Sequence, residues 1–252
     1  MTTSLDGTLV VPDWPVASSV RALVTTRAGG SSTGRYASLN LSIAVGDDPQ
    51  TVDRNRALLT LALPSAPRWL HQVHGTTVVD AAAVGAPVAA DASVARDPGV
   101  VCAVQVADCL PILLAHPDGK VVGAAHAGWR GLAGGVIEAT IARLGVAPQE
   151  LVAWLGPAIG PQAFEVGADV LRAFTDHDPG AVEAFRPHDA RDGKWFADIF
   201  VLARRRLHGA GVQAIHGGGL CTVGDPARFF SHRRDGVTGR MAALIWIERE
   251  RI

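Results

Sequence analysis

Residues 100–131 read VVCAVQVADCLPILLAHPDGKVVGAAHAGWRG, and the fold class turns on them. Val100–Val106 is rich in valine and half alternating, which predicts a buried strand. Asp108 and Pro111 then punctuate the run Ala107-Asp108-Cys109-Leu110-Pro111. Val121–Ala125 predicts another strand, closed by His126-Ala127-Gly128. Beyond Gly134-Gly135 the period changes. Ile137, Ile141 and Leu144 fall on one helical face, and Gly145 can cap its end. Strands that pass into a helix make the chain α/β or α+β. The apolar stretch Val100–Leu114 is too interrupted, by Gln105, Asp108 and Pro111, to be a transmembrane helix.

The flanks extend this reading. Val20–Thr25 predicts a strand that ends in the turn-rich Thr26-Arg27-Ala28-Gly29-Gly30. Val52–Leu61 predicts a helix, with Pro64 as a stop. Trp69–Val73 and Thr76–Val79 predict short β segments on either side of His74-Gly75. Leu151–Leu155 is a strand closed by Gly156-Pro157. In Phe196–His208 the residues Ile199, Leu202, Ala203 and Leu207 share a helical face, and Gly209 and Gly211 follow as stops. Val212–His216 and Met241–Glu248 are late strands. A weak breakpoint falls at Gly145–Gln149, yet no low-complexity linker or repeat divides the chain, so residues 1–252 are taken as one domain.

With 48% hydrophobic and 19% charged residues and a formal net charge of −1, nothing global points to nucleic acid or a membrane surface. The cysteines, Cys102, Cys109 and Cys221, are odd in number and not spaced as a disulfide framework. With no signal peptide visible, the expected setting is the cytoplasm.

Three residues stand at punctuated ends of apolar runs: His74 in Gln72-Val73-His74-Gly75, Cys109, and His126. Two imidazoles and a thiolate with one position left open are the donor set of catalytic zinc. The intervals of 35 and 17 residues suit a site assembled by folding and do not suit a zinc finger. A cysteine nucleophile assisted by histidine remains open, as do plain structural roles. His71 would face away from His74 across a strand's pleat. Asp108 and Gln72 are candidate acceptors for the ring N–H of a ligating histidine.

Four loops carry glycine with arginine or proline: 25–32, 128–135, 156–161 and 229–240. None has the spacing of a Walker loop or a dinucleotide fingerprint. Their number points to a polar, phosphorylated substrate, with Arg27 and Arg130 first, and Arg234 and Gln72 after them, as substrate or phosphate ligands.

Taken together, Gln-Val-His-Gly (72–75), Ala-Asp-Cys-Leu-Pro-Ile (107–112), Ala-His-Ala-Gly-Trp-Arg-Gly (125–131) and Gly-Pro-Ala-Ile-Gly (156–160) resemble the YfiH/YlmD family. Thr25-Thr26-Arg27, Ser38-Leu39-Asn40-Leu41, Val45-Gly46-Asp47-Asp48-Pro49, Asn55-Arg56 and Arg233-Arg234-Asp235-Gly236 with Thr238-Gly239-Arg240 match in the family's order. That family carried a polyphenol oxidase or laccase-domain label and was later assigned as zinc-dependent purine nucleoside phosphorylases.

The resemblance implies a four-layer α/β/β/α sandwich with mixed sheets. It implies His74, Cys109 and His126 as zinc ligands; these three, with the neighbouring Asp108, are the candidate catalytic residues. It also implies phosphorolysis of adenosine, inosine and methylthioadenosine by phosphate, with an adenosine deaminase side activity. A monomer is compatible with it.

The copper-oxidase label meets a chemical objection. The chain has no His-x-His pair, and its methionines are only Met1 and Met241. Two other readings stay in view. One is an amidase-type hydrolase editing a peptidoglycan precursor, with Cys109 as nucleophile and His126 as base. The other is a binding module around a structural metal, with Cys221 or His232 as the fourth ligand.

Overall fold

The stretch 100–131 divides into three strands where the sequence pattern marked two. The computed structural model describes residues 9–249. In chain order the strands are β1 (Leu9–Val10), β2 (Val20–Thr25), β3 (Val78–Asp80), β4 (Ala92–Ala95), β5 (Cys102–Val106), β6 (Leu110–Ala115), β7 (Val122–Ala127), β8 (Val152–Leu155), β9 (Glu165–Gly167), β10 (Phe185–Pro187), β11 (Lys194–Ala197), β12 (Ala214–Gly217) and β13 (Met241–Ile247). The helices are α1 (Pro49–Thr60), α2 (Trp129–Gly134), α3 (Val136–Leu144), α4 (Ala168–Thr175), α5 (Ile199–Gly209) and α6 (His232–Asp235).

Two sheets are central. One is antiparallel, in the order β1-β2-β13-β5; the other is mixed, in the order β12-β8-β6-β7-β4-β3. A third, antiparallel sheet of β10-β11-β9 stands apart. β5 and β6 are both buried throughout their apolar positions, which is why one continuous apolar run covers them. They belong to different sheets, and Ala107-Asp108-Cys109 carries the chain from one to the other.

Side-chain alternation builds the layers. Val104, Ala243 and Ile245 of the first sheet meet Leu113, Ala115, Val122, Ala124 and Trp154 of the second in one core. The outward residues of the first sheet, Leu23, Ala103, Leu244 and Trp246, pack with Leu59 of α1. Leu110, Ile112, Leu114, Ala125 and Leu155 face outward from the second sheet onto Ile137, Ile141, Leu202 and Leu207 of α3 and α5. Helix, sheet, sheet, helix is the four-layer α/β/β/α sandwich; of its two central sheets the second is mixed and the first is antiparallel throughout. The second sheet runs across the weak breakpoint, because β8 pairs with β6.

Several local expectations move. Helix α1 begins earlier than Val52, because Asp48 caps Thr51 and Pro49 takes the first helical position. Phe196 lies in β11, and α5 starts at Ile199, where Asp198 accepts from the amides of Phe200 and Val201. Trp69–Val73 forms no strand; Arg68 and His71 make only isolated bridges, to Cys102 and Ala89. The late strand starts at Ala214 instead of Val212, and β3 starts at Val78 instead of Thr76.

Candidate metal centre

Each of the three donors reaches the site by a different local device. His126 lies within β7, and its side chain is buried. Cys109 ends the crossover between the sheets and is half-buried. His74 sits in a loop with φ 59°, and Asp108 beside Cys109 has φ 85°. Non-glycine residues in this region carry strain of about 1–3 kcal/mol each, which the surroundings must hold in place. Because His74 is not on a strand, the pleat argument that separated His71 from it does not apply. His71 is nonetheless outside the cluster.

The ligand atoms of His74, Cys109 and His126 lie within 4.8 Å of one another. His74 Nε2 is 3.8 Å from Cys109 Sγ, and the two imidazoles meet edge to face with centroids 4.8 Å apart. Burial alone would raise the pKa of the Cys109 thiol; the facing imidazoles of His126 and His74 outweigh it and pull the pKa down. Burial alone would lower that of His126; the Cys109 sulfur and Asp91 outweigh it and push the pKa up. A nitrogen, nitrogen and thiolate set that converges in this way fits a metal ion. Among the described residues no fourth histidine, cysteine or carboxylate joins it.

The turn after β7 depends on glycine. A Cβ on Gly128 would stand 2.9 Å from His74 Cδ2 and 3.0 Å from Cys109 Sγ, and one on Gly131 would stand 2.8 Å from the carbonyl of Gly75. The Gly-Trp-Arg-Gly motif therefore lets the backbone pass against the donors.

Two unlike pockets meet at the cluster. The first, about 190 Å³, is mainly apolar, with Trp129, Ile159, Phe164 and Ile199 beside His74 and Cys109, though Asp108, Arg130 and Arg233 also line it. The second, about 450 Å³, has His71, Gln72, Gln105, Arg130 and Arg240 in its lining along with all three donors. His232 lines both.

A family model described as multi-copper polyphenol oxidoreductase laccase matches residues 21–248. The chain belongs to this laccase-domain family. A purine nucleoside phosphorylase of Pseudomonas aeruginosa, PA4543, is 53% identical over 239 residues, covering 95% of this chain and 98% of that one. The purine nucleoside phosphorylase YfiH of Escherichia coli is 50% identical over 244 residues, covering 95% and 98%. The crystal structure of Neisseria meningitidis protein NMB0706 superposes with a TM-score of 0.92 at 50% identity, over 96% of this chain and all of that one.

Within this laccase-domain fold, the other residues singled out from sequence take varied places. Gln72 lines the second pocket, but its amide is committed to the backbone of Gln105 through two hydrogen bonds, of 2.8 and 2.7 Å. Asp108 accepts from the Thr222 hydroxyl and the Arg233 amide, so it ties the Cys109 turn to α6 and orients neither imidazole. Arg27 donates to the carbonyls of Ala37 and Pro226 and lies over Phe230. Arg234 donates to the carbonyls of Thr222, Val223 and Phe229 and pairs with Asp235. Both of those guanidinium groups brace loops. Arg130 is exposed, rests over Trp129 and lines both pockets.

Sequence reasoning missed Asp91. It is fully buried, and its carboxylate lies 2.9 Å from His126 Nδ1. The same carboxylate accepts from the amides of Val73, His74 and Gly75. The available signal was slight: an acidic residue opening the apolar run Ala92–Ala95.

Proposed function

We propose that the protein is a zinc-dependent purine nucleoside phosphorylase acting on adenosine, inosine and methylthioadenosine. The observation that carries this reading is the placement of the donor cluster at the junction of an apolar slot and a basic pocket. A purine is flat and largely apolar, which suits Trp129, Ile159 and Phe164. Ribose and phosphate are polar and anionic, which suits the other side. The names of the relatives agree with this division.

Phosphorolysis forms a bond from a phosphate oxygen to C1′ as the C1′–N9 bond breaks. The bonding pair leaves with the purine. The proton that neutralises the purine balances the one that hydrogen phosphate gives up on becoming the ester. His232 lines both pockets and its Nδ1 is held by the Gly236 carbonyl, which leaves Nε2 free to carry that proton. His74, Cys109 and His126 would hold the zinc ion, which would supply Lewis acidity. We assign zinc over copper because one His₂Cys set without His-x-His pairs is not a multicopper cluster. Adenosine deamination is a side activity of the same site in this reading, and the cytoplasm is its setting.

One observation favours a second reading. Asp91, His126 and Cys109 also form the acid–base–nucleophile chain of a cysteine hydrolase, such as a peptidoglycan-precursor amidase. The second imidazole, His74, on the same sulfur has no task in that mechanism and is a ligand in the first.

Incubation of adenosine with the protein, with and without phosphate, tests the proposal. Adenine with ribose 1-phosphate, formed only when phosphate is present and lost on zinc chelation, is the expected result. Turnover that is indifferent to phosphate and to chelation would overturn it.

A further inference from the structure

We infer that the basic pocket is a seat for inorganic phosphate, with Arg240 as its fixed donor and Arg130 as its outer one. This rests on the phosphorylase reading and deepens it. Arg240 was not among the arginines favoured from sequence, and Arg27 and Arg234, which line neither pocket at the cluster, cannot take this role without abandoning their carbonyls.

Three features of Arg240 support the assignment. First, its position is set from both sides. Its amide donates to Asn40 Oδ1, its carbonyl accepts from Leu41, and Nη1 donates to the carbonyls of Thr238 and Gly239 at 2.9 and 3.1 Å. Second, those bonds occupy one nitrogen only. Among the described residues no ion pair neutralises the guanidinium, and Nε and Nη2 make no protein hydrogen bond. Third, the group is half-buried, so its charge is held away from water, and burial lowers its pKa against the weaker opposing pull of Cys109 and Asp108. A desolvated cation without a carboxylate partner is costly unless an anion meets it.

The pocket as a whole has the same bias. It is lined by two arginines and four histidines, His71, His74, His126 and His232, and by no aspartate or glutamate. The one acidic side chain in the lining is the Cys109 thiol, which belongs to the donor cluster. Phosphate oxygens match the fork of a guanidinium, and Arg130, exposed at the rim, can close on a third oxygen. Phosphate held here would lie across the donor cluster from a purine in the apolar slot, with C1′ between them.

A phosphate ester on a nucleotide offers the same oxygens, so the test separates the two sources. The protein as purified is titrated with inorganic phosphate in a calorimeter, and separately with adenosine 5′-monophosphate and with inosine alone. Arg240→Gln is expected to weaken inorganic phosphate binding roughly 10-fold to 100-fold, Arg240→Lys to recover part of it, and inosine binding to change less than about twofold. Wild-type crystals soaked in tungstate are expected to show the anion against Arg240 Nε and Nη2, whatever the folding of the variants.

Unchanged phosphate affinity in a folded Arg240→Gln, tungstate seated elsewhere, or binding of the nucleotide alone would each overturn the seat. If phosphate binds through Arg240 but adenosine and phosphate give no ribose 1-phosphate, the phosphorylase reading fails while the seat stands.

Discussion

Asp91 and His126 stand opposite each other across the β4–β7 ladder. The His126 amide donates to the Asp91 carbonyl at 2.7 Å, and the Asp91 carboxylate holds His126 Nδ1 at 2.9 Å. The pairing one step further on, Ala92 with Ala125, fixes that register. Because three successive amides at 73–75 close on the same carboxylate, one buried side chain orients one histidine directly and the other through its backbone. A ligating imidazole that donates from Nδ1 presents Nε2 to the metal, so Asp91 selects the tautomer as well as the direction.

Asp91→Asn is therefore expected to lower zinc affinity by roughly 10- to 100-fold, the usual effect of losing such a partner. Competition against a chromophoric chelator measures it. Asp91→Ala should in addition destabilise the fold, because it strips the acceptor from the buried His126 Nδ1, at about 1–3 kcal/mol, and from three part-buried amides that water can partly serve. Zinc affinity equal to wild type in Asp91→Asn would mean that the carboxylate only braces the loop.

Cys109 separates the two readings of the site. Cys109→Ala is expected to abolish zinc retention and phosphorolysis while the thermal transition stays close to that of metal-free wild type, since the residue is only half-buried. In metal-free protein the facing imidazoles hold the thiol below its ordinary range. The thiolate then persists as pH falls, and alkylation by iodoacetamide should remain fast at pH values where a free thiol, with a pKa near ~8.5, is protonated. His126→Ala removes the stabilising cation and should shift that alkylation profile upward. Zinc should protect the sulfur; a hydrolase reading predicts instead that chelated protein remains active and is inactivated by the same reagent.

The donor trio was legible because each residue sits beside a turn signal, and such signals are local. The link between Asp91 and His126 was not, because it depends on an antiparallel register across 35 residues. The two-sheet division of 100–115 was hidden for a related reason: strands covered on both faces share one apolar pattern whichever sheet they join. Arginine shows the limit most plainly. Arg27, Arg234 and Arg240 all lie in polar loops, and only the carbonyls that each one reaches decide which guanidinium is left for a ligand.

Trp129 offers a test of the apolar slot. It is half-buried, lines that slot and lies under Arg130. Base–aromatic stacking contributes about 1–3 kcal/mol, so Trp129→Leu should raise the KM for inosine by roughly 10-fold and the KM for phosphate less, through the lost support of Arg130. Steady-state kinetics with each substrate varied in turn checks this. A rise confined to the phosphate KM would place the base elsewhere.

Gly128 tests whether close backbone approach is what makes room for the donors. Its φ of −62° and ψ of 156° are open to any residue, so alanine brings no conformational strain. The added methyl would nevertheless press on His74 at 2.9 Å and on the Cys109 sulfur at 3.0 Å. Overpacking of this kind typically costs about 1–3 kcal/mol, and here the groups that must yield are the ligands themselves. Gly128→Ala should therefore loosen zinc by roughly tenfold or more, while the thermal transition of the metal-free protein moves little, because the metal-free donors can relax toward the open pockets. Cobalt substitution gives the sharpest readout: a distorted site changes the intensity of the visible bands. A cobalt spectrum and zinc affinity both equal to wild type would show that the turn has slack and that glycine at 128 serves the chain's course alone.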